Sequence, residues 1–132
     1  MYQVIEQVVG PDDFLRLRDI SGLSSRSYEA AVKGLPNSLY GIHILYDGIP
    51  VAMGRVVGDG AINFDIVDVA VDPDHQGKGL GRQIMAHIMA YLDKTAFPRS
   101  YVSLMADVPE LYEKFGFQLS RPNSEGMYWV KK

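Results

Sequence analysis

No cysteine occurs among the 132 residues. That absence excludes a disulfide framework, a thiolate-held metal and a catalytic thiol, so any group transfer proceeds without a covalent intermediate on cysteine. Long apolar runs are missing as well. Nothing approaches the roughly 18 consecutive apolar residues of a membrane span, and the first residues lack the zones of a secretory signal. A cytoplasmic protein without membrane contact is expected. Basic clusters are also lacking: Lys and Arg number 13 against 16 Asp and Glu, a formal charge of -3, so no nucleic-acid partner is expected. The three histidines, His43, His75 and His87, fall on different predicted elements with no second ligand at metal-binding spacing, and no metal is expected.

What remains is an ordinary globular composition, 47% hydrophobic and 22% charged, which at this length predicts one domain over residues 1–132 with a real core. Tyr2, Val4, Ile5, Val8 and Val9 predict a first strand over 2–9, closed by Gly10-Pro11. Pro11 then suits the first turn of a helix, with Asp12 and Asp13 favourable to its dipole and Phe14, Leu17 and Ile20 as its buried stripe. A short helix is predicted from about Arg26 to Lys33, ended by Gly34 and Pro36. Strands at 39–46 and 50–57 flank Asp47-Gly48, a strong hairpin signal, and Gly58-Asp59-Gly60 turns into a further strand at 62–72. Leu80, Ile84, Ile88 and Leu92 repeat every four residues, the stripe of a helix packed on a sheet. Tyr101 to Leu104 reads as a fifth strand, and Asp107 with Glu110 as a capping box opening a helix through Lys114. Gln118-Leu119 and Met127 to Val130 are expected to close the sheet around the loop from Arg121 to Gly126.

The informative stretch is 64–82, where the β-branched run Ile66, Val67, Val69, Val71 meets Pro73 and then Gly77, Gly79 and Gly81 before the long helix. Strand, glycine-rich turn and helix start bring unpaired amides and a positive dipole end together, a natural seat for a phosphate. It is not a P-loop: the residue five before Gly77 is Asp72, and Gly79 rather than Ser or Thr follows Lys78. A dinucleotide fingerprint fits poorly too, since Arg82 takes the third glycine's place and the loop lies beyond the chain's middle.

Gln76-Gly77-Lys78-Gly79-Leu80-Gly81 resembles in full the acetyl-CoA signature of the GNAT family of N-acetyltransferases, and Val69-Ala70-Val71 before it resembles that family's fourth strand. Leu111-Tyr112-Glu113-Lys114-Phe115-Gly116-Phe117 resembles a second family element at the expected distance. The two motifs cover the C-terminal half. The resemblance implies an α/β fold with a twisted mixed sheet of about seven strands, splayed between the fourth and fifth, and four helices on both faces. It implies that acetyl-CoA is the acyl donor, its pantetheine lying in the splay. The amides of Gln76, Gly77, Lys78, Gly79, Leu80 and Gly81 would hold the pyrophosphate, with Lys78 and Arg82 adding charge. On the fourth strand, the Val69 amide would face the thioester carbonyl and Val71, beyond Ala70, would pair with the pantetheine. Tyr112 falls on the family's general acid, and Asp68 on a strand position where many members carry a glutamate, making it the candidate base. Asp65 is the other acid in reach, but three-residue spacing puts it on the opposite face unless a bulge intervenes.

Two departures stand out: Met105 and Val108 occupy positions where many relatives carry a CoA-contacting asparagine and alanine. Tyr112 also has a purely structural reading, packed with Leu111, Phe115 and Phe117. The expected activity is acetyl transfer to the primary amine of a small molecule by direct attack. A non-catalytic CoA-binding sensor or accessory module, or an acetyltransferase of protein and peptide amines, are the alternatives. A homodimer through the apolar Tyr128-Trp129-Val130 is also expected.

Overall fold

The computed structural model describes residues 1–132. The elements run β1 (Tyr2–Ile5), α1 (Pro11–Ile20), α2 (Tyr28–Gly34), β2 (Tyr40–Tyr46), β3 (Ile49–Gly58), β4 (Asn63–Val71), α3 (Leu80–Thr95), β5 (Tyr101–Leu104) and α4 (Pro109–Glu113). Single 3-10 turns lie at Leu35–Asn37 and Pro73–His75. One sheet holds the strands in the order β1-β2-β3-β4-β5, antiparallel up to β4 and parallel between β4 and β5. The β2–β3 hairpin turns as its sequence predicts, Asp47 and Gly48 both having positive φ.

The helices cover both faces. On one, α3 inserts Leu80, Ile84, Met85, Ile88 and Leu92 against Ile42, Ile44, Val56, Phe64 and Ile66. Burying each such side chain stabilises the fold by about 1.5–3 kcal/mol. The helix approaches closely because Gly54 lacks a side chain: a Cβ there would lie 2.6 Å from Cγ2 of Ile84. On the other face Phe14 and Leu17 of α1, with Ala31 and Leu35, pack on Met53 and Ala70.

Five strands form, not seven. Gln118-Leu119 and Met127 to Val130 belong to no strand, and the Ser124 amide closes a turn onto the Ser120 carbonyl instead, at 3.0 Å. Apolar β-forming residues make a strand only when another strand takes up their amides, and these find none. β1 stops at Ile5, where the chain leaves the edge and brings Val8 against the bare Cα of Gly41. The expected capping box is absent. Pro109 takes the first turn of α4 behind Val108, and no side chain caps that helix.

Candidate active site

β4 is paired on both sides only in its first half. Asn63 to Ile66 pair with Tyr101 to Leu104 of β5, whereas Val67 to Val71 keep β3 as their only neighbour. The two strands therefore part after Ile66, leaving an open backbone edge. The Asp72 amide donates to Val51 O at 2.8 Å, toward β3. Amides alternate along an extended strand, so those of Val71 and Val69 point the other way, into the opening.

The glycine-rich loop lies at the end of this edge. Gly77 and Gly79 have φ of +78° and +80°, and space around both is open, so glycine is required there by backbone conformation. Gly79 is the N-cap of α3. Beyond Gln76, the first amide to find a backbone acceptor is that of Gln83, which donates to Gly79 O at 3.1 Å; the amides from Gly77 to Arg82 have no partner in the chain. Such a row of free donors at the positive end of a 16-residue helix fits a pyrophosphate. The Gln76 amide is turned back toward Pro73 O, at 3.5 Å, and its side chain reaches Val71 O at 3.3 Å. Lys78 and Arg82 make no ion pair.

A bulge interrupts β4 within the open edge. Arg55 pairs with Val67 and Met53 with Ala70, so Gly54 opposes both Asp68 and Val69. Asp68 adopts φ +59°, the left-handed region, strained by about 1 kcal/mol for a residue with a side chain. Its carboxylate is gripped by two guanidinium groups: Nη1 of Arg18 donates to Oδ1, and Nε of Arg55 donates to Oδ2 at 2.6 Å. Arg18 also donates through Nε to Ser24 O at 2.8 Å and through Nη2 to Ser24 Oγ at 3.1 Å, while Nη1 of Arg55 donates to Ser38 Oγ at 3.2 Å. Burial lowers the Arg18 pKa, and the Asp68 charge opposes that effect.

The Asp68 side chain, the expected base, is 8% exposed with both oxygens paired to guanidinium groups. Asp65 is placed differently. Phe64 and Ile66 face α3, so Asp65 between them faces α1. Burial, with the Asp68 charge, raises the pKa of its carboxyl, and Arg55 opposes the rise.

Asp65 and Tyr112 line one cavity of about 730 Å³, together with Leu104, Met105 and the segment from Phe117 to Ser120. Tyr112 belongs to the core on the α3 side, 9% exposed, with its ring edge-on to Phe117 at 6.5 Å. Burial, assisted by Asp107, raises its pKa and keeps the phenol protonated at neutral pH. A carboxyl on the α1 face and a phenol from the α3-side core thus share one cavity beside β5.

Neither Arg18 nor Arg55 has a partner assigned from the sequence. The signal for Arg18 was present: it lies at i+4 from Phe14 and i+1 from Leu17, on the buried stripe of α1 where a charged residue needs a buried partner.

Comparison with known proteins identifies the family. The family model described as an acetyltransferase (GNAT) domain matches residues 39–119. GCN5-related N-acetyltransferase 2, chloroplastic, of Arabidopsis thaliana is 34% identical over 84 residues, 62% of this chain and 32% of that protein. Serotonin N-acetyltransferase 2, chloroplastic, of Oryza sativa subsp. japonica is 38% identical over 86 residues, 64% of this chain and 42% of that protein. The matched part of the chain thus spans about a third to two fifths of these curated relatives. The crystal structure of a Staphylococcus aureus protein of unknown function, described as a probable acetyltransferase, superposes with a TM-score of 0.95 at 42% identity, covering 99% of this chain and all of the other.

Proposed function

Because the chain belongs to the GNAT acetyltransferase family, we propose that it moves the acetyl group of acetyl-CoA onto the primary amine of a small molecule by direct attack. The observation that carries the reading is the open edge of β4, from Val67 to Val71, running into the unpaired amides of Gly77 to Arg82. A pantetheine arm is an extended amide chain and a pyrophosphate is a doubly charged anion, so one ligand satisfies both features. A cavity of 730 Å³ lies within the roughly 300–1,000 Å³ usual for small-molecule sites, which favours a small acceptor over a protein surface.

The bound thioester supplies the activated acetyl group, and the chain supplies the rest. Loop amides and Val71 hold the donor. The Val69 amide donates to the carbonyl oxygen as it gains negative charge, an interaction typically worth about 3 kcal/mol in the transition state. An acceptor such as an alkylamine, of pKa about 10.4, arrives protonated and must lose a proton to expose its lone pair. Asp65 takes that proton, directly or through one water; its raised pKa and its place in the cavity suit it to the role better than Asp68. Nitrogen then bonds to the carbonyl carbon as the carbon–sulfur bond breaks, the electron pair leaves on sulfur, and the second proton of the nitrogen, acidic once the bond has formed, passes through water to the departing thiolate. Tyr112 faces that thiolate. A phenol of pKa about 10 giving its proton to a thiol of about 8.5 is uphill by roughly 2 kcal/mol, and burial makes it more so, so Tyr112 acts mainly as a hydrogen-bond donor.

Similarity to Histone acetyltransferase TAP1 of Glycine max, 35% identical over 83 residues, supports a second reading with a protein amine as acceptor. The free outer edge of β5 and the exposed run Met127 to Val130 support association of two copies, which sedimentation tests. For the activity, purified protein is given acetyl-CoA with polyamines, amino acids, arylalkylamines or lysine peptides, and CoA release is followed. Release with a small amine and not with peptides is expected. Tight acetyl-CoA binding without release from any amine would identify a CoA-binding module instead.

A further inference from the structure

The phase of β4 is reset at one residue. Up to Val67 the strand alternates normally, with Phe64 and Ile66 toward α3. Continued without interruption, that alternation would turn Val69 and Val71 toward α1 and Ala70 toward α3. The reverse is observed: Val69 and Val71 pack against the α3-side core, and Ala70 joins Phe14 and Leu17 on the other face. The left-handed Asp68 makes the difference, and its phase shift aims the Val69 and Val71 amides into the opening between β4 and β5.

A β-branched run does not call for that conformation, although aspartate adopts it more readily than most residues. Its support comes from three separate elements: Arg18 on α1, Arg55 on β3, and Ser24 between α1 and α2, bonded to Arg18. Both guanidinium carbons also lie 5.9 Å from the centre of the Phe14 ring, which fixes the two cations side by side against one apolar surface. We propose that Arg18 and Arg55 are positioning residues: by clamping the Asp68 carboxylate they hold the left-handed turn that directs the Val69 amide at the reacting carbonyl. Arg18 in addition draws the segment at Ser24 onto the same point, so the link between α1 and α2 and the amide donor are set by one side chain. This inference rests on the acetyl-transfer reading for its kinetic consequence, and on the backbone geometry alone for its structural one.

The test separates the two. Glycine adopts positive φ without support, so Asp68→Gly makes the clamp unnecessary. Arg18→Met, with Arg18→Lys as a milder variant, is compared with Arg18→Met/Asp68→Gly and wild type. Amide spectra are recorded with and without acetyl-CoA, and steady-state rates are measured. In Arg18→Met the Asp68 and Val69 amide resonances are expected to move, and the acetyl-CoA-induced shift at Val69 to vanish while the shifts at Gly77 to Gly81 persist. The turnover number kcat is expected to fall on the order of 100-fold, as for a misplaced reacting group, with KM for acetyl-CoA little changed. The double variant is expected to recover both the Val69 shift and most of kcat. The proposal is overturned if Val69 responds to acetyl-CoA normally in Arg18→Met, or if the double variant is folded and no better than the single one. Wild-type protein whose loop amides ignore acetyl-CoA would refute the acetyl-transfer reading. The Asp68 and Val69 resonances of the free variants would still decide whether the clamp holds the turn.

Discussion

Asp65 and Asp68 stand three residues apart on β4, and the left-handed bulge at Asp68 brings its side chain to the α1 side of the sheet, which Asp65 already faces. In an unbroken strand they would face opposite ways. Their shared face gives them opposite fates: Asp68 is neutralised by two arginines, while Asp65 is left half-buried with its pKa raised by burial and by the Asp68 charge.

Asp65→Asn should lower kcat/KM by about 10²–10⁴-fold if Asp65 accepts the amine's proton. The wild-type rate should rise with pH as the carboxyl ionises above the usual carboxylate range, and this acid limb should vanish in the variant. Stability gives a second reading with a definite sign. A folded-state pKa above the unfolded one means that ionised Asp65 opposes folding at neutral pH, and that the penalty disappears as pH falls below the unfolded value. Urea denaturation should therefore show Asp65→Asn as stable as wild type or more so at pH 7, with that advantage gone in acid. An unchanged acid limb would remove Asp65 from the proton path.

Tyr112→Phe keeps the ring against Phe117 and removes only the hydroxyl. If that hydroxyl acts in the transition state alone, kcat and kcat/KM should drop together, on the order of 10- to 1000-fold, with acetyl-CoA affinity by calorimetry unaltered. Wild-type single-turnover rates in the variant would mark Tyr112 as packing.

Gly79→Glu sets a carboxylate among the free amides and forces a side chain into φ +80°. Acetyl-CoA binding should be lost by calorimetry, while the backbone strain lowers stability by only about 1–2 kcal/mol and circular dichroism stays native. Retained affinity would show that the pyrophosphate lies elsewhere.

Gly54→Ala should destabilise the protein by about 1–3 kcal/mol in chemical denaturation, because the new methyl would sit 2.6 Å from Ile84 and push α3 off the sheet. An unchanged midpoint would mean that the helix gives way freely.

Much of this was legible in the residues. The Asp47-Gly48 hairpin, the four-residue stripe of α3 and the glycine loop are local codes, each written within a few positions and each found where it was read. The five strands that formed are those with a neighbour to bond. Met127 to Val130 carries a strand-forming sequence, but pairing is a property of two segments, and no local pattern reports a missing partner. Asp107 and Glu110 fit a capping pattern, yet Pro109 between them set the helix start. The bulge was least visible, since the two arginines that bond the left-handed aspartate lie on other elements, far from it in sequence; with it went the facing of Asp68.

The grip at the head of α3 is made of peptide dipoles: the amides from Gly77 to Arg82 carry no net charge, and of those residues only Lys78 and Arg82 have ionised side chains. Mobile salt weakens attraction between exposed charges but hardly touches short hydrogen bonds from fixed amides. Affinity for the donor should therefore decline only gently between dilute buffer and concentrated salt, and that shallow slope should flatten further when Lys78 and Arg82 are replaced by neutral residues.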